Sequence, residues 1–443
     1  MKSGRVVGET LRHPHGVPRR EFLVRATAVF AAPQLVHAPV LGRDGATAPN
    51  ERIGLGFIGV GSRGTDHLRT LLGRPEVQVL AVCDPYRSKC ENAAKIVDDH
   101  YAGKGGKGGG CGAYQDFREL LARDDIDAVV IASPENWHGL HGTMAAKAGK
   151  DVYGEKALTL TVAEGRALVQ SVRRNGRVFQ VGTQQRSARD FRFACELARN
   201  GYLGKLHTVK VGVPGGRALP EAPPTPPPPD LDYEMWLGPA PYTPHNDIKG
   251  SFNWYFISDY CAGWIQSWGV HHIDIAQWGA PGLTTGQLKV KGTATFPAAG
   301  IADTSVTWRV EFRTTDGPLL IFSDESQQEH GCRFEGDKGW VLVTRSGIWA
   351  EPAALLKTTI KPGEEHLYES NDHHANFIEC IRTRREPAAP VEAGHSATTL
   401  TLIADIATRL RRELTWDWSA ERFLDSDDAN RLLSRPMRGP WRV

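Results

Sequence analysis

The chain's apolar positions change period along its length. From residue 53 to 182, short continuous apolar runs alternate with stretches of helical periodicity. The runs are Ile53 to Ile58, Val77 to Cys83, Ile126 to Ala132, Asp151 to Gly154 and Val178 to Gly182. Unbroken runs of this length suit parallel strands buried on both faces, and β-α alternation predicts a doubly wound sheet. Helices are expected over His67 to Leu72, Leu140 to Ala148 and Thr161 to Arg174. From Gln287 to Trp349 the period falls to two, as in Ala302 to Phe312, which predicts antiparallel strands of a second, sheet-rich domain. Helical periodicity returns from Ala397 to Leu414. Between the two patterns lies a proline-dominated stretch, Pro220 to Pro229, which suits either an extended strap over a cleft or an inert connector. Lys104 to Gly110 is too glycine-rich for a helix or strand and is expected as a loop insert.

The first run leads into Gly59-Val60-Gly61-Ser62-Arg63-Gly64. In this G-x-G-x-x-G, Gly59 permits the tight turn, Gly61 lets backbone approach a pyrophosphate, and Gly64 lets helix and strand pack closely. Ser62 and Arg63 open the helix whose N-terminus favours phosphate. The second run ends in Asp84, 20 residues after Gly64, where a carboxylate accepts hydrogen bonds from an adenosine ribose. Asp84 favours NAD, while Arg63, Arg87 and Lys89 leave NADP open.

The 443 residues carry 53 basic and 51 acidic side chains, a net charge of +2, which gives no reason to propose a nucleic-acid partner. With 40% hydrophobic residues but no apolar run of transmembrane length, the chain is expected to form two domains without membrane insertion. Residues 1–48 read as a leader: Arg19-Arg20 followed by Phe22-Leu23 and an apolar stretch resembles a twin-arginine signal, implying a periplasmic protein. Cleavage after Ala38 or near Ala48, or a disordered basic tail, are the open readings. Seven scattered cysteines without C-x-x-C spacing suggest neither a disulfide framework nor zinc, and His271-His272 and His373-His374 lack a ligand spacing, so no metal is expected.

Ser133-Pro134-x-x-x-His138, Gly154-Glu155-Lys156 and Trp268 to Asp274 follow the dinucleotide turn in one order. That order, over residues 50 to 420, resembles the Gfo/Idh/MocA oxidoreductases, the family of glucose–fructose oxidoreductase and inositol dehydrogenase. The resemblance implies a Rossmann domain (50–182) and a substrate-binding, oligomer-forming α/β domain (183–435) with a large, mostly antiparallel open sheet. A homodimer or homotetramer is implied, as is hydride transfer with NAD or NADP on a sugar, glycoside or cyclitol. It places catalysis on Lys156, His271 and Asp274, and adds Ser133, Pro134, His138, Glu155 and Lys156 to the cofactor contacts. Ala157 stands where the family motif has proline, and Ser267 where it has aspartate.

In such a reaction His271 takes the hydroxyl proton, Lys156 polarises the oxygen, and Asp274 orients the imidazole or binds a hydroxyl. Gln185, Arg186, Tyr255, Asp259 and His272 are candidate substrate contacts, with Asp259 a spare acid for the one lost at Ser267. Each has a plain structural alternative: core packing for Tyr255 and His272, a salt bridge for Asp274, solvation for Gln185 and Arg186. An exported enzyme would need a tightly bound cofactor returned to its starting state each cycle. That admits paired sugar oxidoreduction, or a glycosidase cycle of oxidation, elimination and re-reduction. A non-catalytic NAD-bound sensor is the alternative of another class.

Overall fold

In the computed structural model, which describes residues 51–103 and 110–443, the apolar runs pair side by side. The expected leader and most of the glycine-rich insert lie outside the described residues. β1 (Ile53–Ile58) runs parallel to both β2 (Val77–Cys83) and β4 (Ala128–Ile131). With β3 (Gly112–Tyr114), β5 (Asp151–Gly154) and β6 (Phe179–Val181) they form a six-stranded parallel sheet, ordered β3-β2-β1-β4-β5-β6. Helices α1 (Ser62–Leu72), α2 (Arg87–Gly103), α3 (Phe117–Leu121), α4 (Glu135–Lys147) and α5 (Val162–Arg174) connect the strands. Strand order reverses between β1 and β4, and a cleft opens at the carboxyl ends of such a switch point.

α4 starts at Glu135, five residues before the expected Leu140. Pro134 occupies the N-cap with φ −62°, so the helix begins as soon as β4 ends, and Glu135 and Trp137 are buried in its first turn.

The second sheet has nine strands in the order β13-β12-β11-β7-β10-β9-β8-β14-β15. These are β7 (Leu206–Val213), β8 (Gln287–Thr295), β9 (Thr307–Thr314), β10 (Leu319–Asp324), β11 (Gly331–Gly336), β12 (Gly339–Thr344), β13 (Gly347–Glu351), β14 (Leu414–Asp417) and β15 (Arg422–Leu424). β7 and β10 are parallel, and all other neighbouring pairs are antiparallel. Burial alternates strictly along β8 from Gln287 to Gly292, as a one-faced sheet requires. The inner face carries Val290, Trp308, Phe312, Phe322 and Phe334 in one core with α6 (Arg189–Arg199), α7 (Gly269–Gly279) and α9 (Val391–Leu410), while α8 (His373–Thr383) packs Phe377, Ile378 and Cys380 into a core of the first sheet.

The proline stretch crosses from the second sheet to the first. The Arg87 amide donates to Asp230 O (2.9 Å), the Asp232 amide donates to Pro85 O (2.9 Å), and Tyr86 pairs with Leu231. This strap delivers the chain between Met235 and Tyr255 to the open side of the cleft.

Candidate active site

A cavity of about 560 Å³ lies between the carboxyl ends of the parallel strands and the strap. Gly59 sits at φ +85°, and a Cβ there would meet the Ala132 backbone at 2.7 Å. A Cβ on Gly64 would lie 2.0 Å from Gly59 O, so only glycine lets α1 rest on the turn. Gly61 differs: a Cβ there would meet nothing within 4 Å, because it faces the cavity. It is also the N-cap of α1 and provides no side-chain cap, which leaves first-turn N–H groups available to phosphate. Asp84 closes the far end, its two oxygens accepting from the amides of Val60 and Tyr86, each at 3.0 Å. An open glycine cradle, an uncapped helix and the Asp84 carboxylate in the same cavity fit a dinucleotide. Ser62, Arg63, Ser133 and Pro134 line the same cavity.

The opposite end holds the reactive groups. Glu155 accepts from Arg63 Nε (2.8 Å) and pairs with His67 Nε2 (2.8 Å). Burial alone would raise its carboxyl; His67, Arg63 and Lys156 outweigh that and hold it well below the usual range. Lys156 Nζ donates to Ser267 O (3.1 Å) and Ser267 Oγ (3.0 Å), and Ser267 Oγ donates to Glu135 Oε1 (2.8 Å). Glu135 is buried, and burial pushes its carboxyl up against the opposing charge of Lys156; its Oε2 has no partner. The acid absent at position 267 is therefore replaced in space by Glu135, reached through the serine that took its place. Ala157, in place of the motif proline, follows a cis peptide bond from Lys156, and its carbonyl accepts from His138 Nδ1 (2.6 Å). His271 lines the cavity with Nδ1 sealed from solvent and unpartnered. Burial first, then the charges of Lys156 and Arg345, depress its pKa well below 6.5, so the imidazole is neutral. Tyr255 shares the cavity, its ring 5.8 Å from Lys156 Nζ.

Other expected contacts lie elsewhere. Asp274 faces away from the cleft: Arg186 Nε and Nη2 donate to its two oxygens at 2.7 and 2.8 Å, and both residues are buried. Neither lines the cavity, and each is the other's charge partner away from water, with Gln277 Nε2 also donating to Asp274 Oδ1 (2.9 Å). Gln185 turns inward, its Nε2 3.1 Å from His272 Nδ1, and its neighbour Gln184 lines the cavity instead. His272 is wholly buried against Trp268. Asp259 stands outside the cavity near Arg435 and Lys249, so it does not replace the lost acid. His138 makes no cavity contact; its Nε2 meets Ser133 O (2.7 Å), so it braces the Ser133 turn against the Lys156 segment. Glu135, Gln184 and Arg345 are cavity groups that local sequence did not single out. A carboxylate directly after the Ser133-Pro134 strand end was the one available signal.

A family model described as "Oxidoreductase family, NAD-binding Rossmann fold" matches residues 53–183, and "Oxidoreductase family, C-terminal alpha/beta domain" matches 215–443. The chain belongs to the Gfo/Idh/MocA oxidoreductase family. Similar solved structures include the aldose-aldose oxidoreductase from Caulobacter crescentus complexed with glycerol (18% identity, TM-score 0.61, covering 82% of this chain and 99% of that one). Another is the WlbA dehydrogenase from Chromobacterium violaceum in complex with NADH and UDP-GlcNAcA (16%, TM-score 0.61, 84% and 97%). Among curated proteins, a "Glycosyl hydrolase family 109 protein 1" of Shewanella sp. (strain MR-4) is 28% identical over 207 residues, 43% of this chain and 45% of its own length. An "Alpha-N-acetylgalactosaminidase" of Shewanella oneidensis is 29% identical over the same extent. The matched stretch spans less than half of either curated relative.

Among the described residues, no helix of this Gfo/Idh/MocA protein is long and apolar enough to cross a membrane, and no group of three or more metal-ligating side chains is assembled. Its buried histidines set its acid tolerance. Burial lowers the pKa of His141 and His271 well below 6.5, of His272 and His395 to about 3, and of His373 to about 4. Because the folded values lie below the unfolded one, the unfolded chain takes up protons that the folded one refuses. Stability is therefore full above about pH 6.5 and is lost below it, by up to about 1.4 kcal/mol per histidine per pH unit. Glu164, pushed up to about 7 by burial, and Asp84, Glu135 and Asp405, raised by burial too, work oppositely against the five histidines. Thermal unfolding followed from pH 7 to 5 is expected to show a steadily falling Tm; a flat or rising profile would contradict neutral burial of these rings.

Proposed function

We propose that the protein oxidises a secondary alcohol of a sugar, glycoside or cyclitol by hydride transfer to tightly held NAD. One observation carries this: Lys156, Glu135 and a neutral His271 share a single cavity with the dinucleotide turn, and Ser267 links Lys156 to Glu135. When bound, the nicotinamide supplies the hydride acceptor. The chain supplies the rest. His271 Nε2, the nitrogen not sealed from the cavity, accepts the hydroxyl proton as the carbinol C–H bond breaks. Two of the three Lys156 N–H groups are held by Ser267, which leaves one to donate to the substrate oxygen as it becomes a carbonyl. Glu135 positions that ammonium through Ser267 and balances its charge.

The preference for NAD rests on Asp84 in the cavity and on the engagement of the nearby cations. Arg63 is bonded to Glu155, and Arg87 lies outside the cavity beside Gln115. Tight retention rests on the strap, which supplies Trp236, Phe252 and Trp254 as a facing wall. Retention would serve an exported enzyme, the location we propose from Arg19-Arg20 and Phe22-Leu23. We include self-association through the second sheet in the same reading.

The decisive test is denaturation of purified protein with identification of released nicotinamide, beside a Gly61→Val variant. Gly61 has an ordinary φ of −64° and open space at Cβ, so valine should fold with unchanged Tm and fill the phosphate cradle. Near-stoichiometric NAD(H) from the wild type, lost from the variant, is expected. Protein that comes out empty and binds NAD only reversibly would overturn tight retention. A second reading is favoured by the glycosyl hydrolase relatives: transient oxidation, elimination of the aglycone, water addition and re-reduction. It predicts net hydrolysis of a glycoside with no net change in bound nicotinamide.

A further inference from the structure

The cavity's cations are not equally committed. Arg63 is bonded to Glu155, Lys156 to Ser267, and Lys89 lies 4.0 Å over the Tyr86 ring close to Asp84. Arg345 is the exception. It stands on the turn between β12 and β13, opens into the cavity, and has no carboxylate in ion-pair reach among the described residues. Among the described residues its one hydrogen bond is a long one, Nη2 to Gln185 Oε1 at 3.4 Å. Its guanidinium lies 4.8 Å over the Trp268 ring, three residues before His271, and its charge acts on the His271 imidazole. The stack holds a planar donor fork at the reactive end while its hydrogen-bonding edge stays unsatisfied.

The guanidinium is partly desolvated, the Arg63 charge opposes it, and Glu155 acts on it only from beyond ion-pair reach. A neutral sugar offers such a fork nothing that Gln or Asn would not supply equally. A carboxylate offers two coplanar oxygens that match it bidentately and cancel its charge. We propose that Arg345 recognises a carboxylate on the sugar, so that the substrate is an acidic sugar, a hexuronic acid or its glycoside. This rests on the reading of the cavity as a sugar-oxidising site.

The test uses the full chain carrying its nicotinamide. Glucuronate and galacturonate are titrated against their methyl esters, which keep the shape and lose the charge, and against glucose 6-phosphate. Binding is read by calorimetry and redox change by nicotinamide absorbance, for wild type, Arg345→Gln and Arg345→Lys. The acids are expected to bind roughly 10- to 100-fold more tightly than the esters, the scale of one charge-assisted pair. That ratio should collapse towards one in R345Q and fall between in R345K, with released nicotinamide unchanged in both variants. Equal binding of acid and ester, a ratio that survives in R345Q, or no sugar binding at all overturns the proposal. So does preference for the sugar phosphate, or loss of nicotinamide from R345Q, which would place the guanidinium on the cofactor. Acid-selective binding without any nicotinamide change would keep the carboxylate site and sink the oxidoreductase reading. Oxidation of neutral sugars without acid preference would do the reverse.

Discussion

Replacing His271 with asparagine is expected to slow sugar-dependent reduction of the bound nicotinamide by roughly 10²- to 10⁴-fold, the range a positioned general base supplies. Asparagine approximates the ring's volume but offers no nitrogen that accepts a proton near neutral pH, so the fold and the released nicotinamide should be unchanged. The pH profile carries a second signature. Burial and the charges of Lys156 and Arg345 hold the imidazole well below 6.5, so its basic form persists into mild acid. In the wild type, the acid limb of kcat/KM should therefore fall below pH 6.5, not at it, provided the scan stays within the protein's stable range. Activity within threefold of wild type in H271N would move the base elsewhere, and Glu135, with an unpartnered oxygen at the site, would be the next residue to replace.

Asp274→Ala is expected to cost about 3–5 kcal/mol in urea unfolding, because it strands the Arg186 guanidinium without its bidentate partner in a buried position. Arg186 also lies 5.0 Å over the Trp278 ring, so the guanidinium has no room to swing out to water. Removing both charges as Arg186→Met with Asp274→Leu should recover most of the loss, since the penalty lies in the unpaired ion and not in the absent bridge. Single-mutant stability near wild type together with a hundredfold loss of turnover would instead return Asp274 to the chemistry.

That pair marks the line between what the sequence makes legible and what it hides. The first sheet could be read because parallel strands buried on both faces must be continuous apolar runs, and β1, β2 and β4 are wholly or mostly buried along their length. The glycine turn could be read because its constraints are local: Gly59 and Gly64 meet atoms a few residues away or across one strand. Lys156 and His271 each follow a short motif. Asp274 was misleading because it lies one helical turn after His271, which suggests a shared role, while its partner lies 88 positions away in sequence. Glu135 and Ser267 are 132 positions apart, and neither hints at the other until the sheets are together. Arg345 had no local signal, since a hairpin turn with an arginine is ordinary until Trp268 is seen beneath it.

Lys156 follows β5 and Glu135 opens α4, both on the first sheet, while Ser267 and His271 belong to the helical layer on the second. Neither half alone owns an ammonium, its anchor and its base. Turnover therefore doubles as a ruler laid across the seam between the two sheets: a bend that widens it by one hydrogen-bond length frees the lysine from its serine before any strand is disturbed. Substitutions along that seam, distant from any sugar, should register first as lost rate and only later as lost fold.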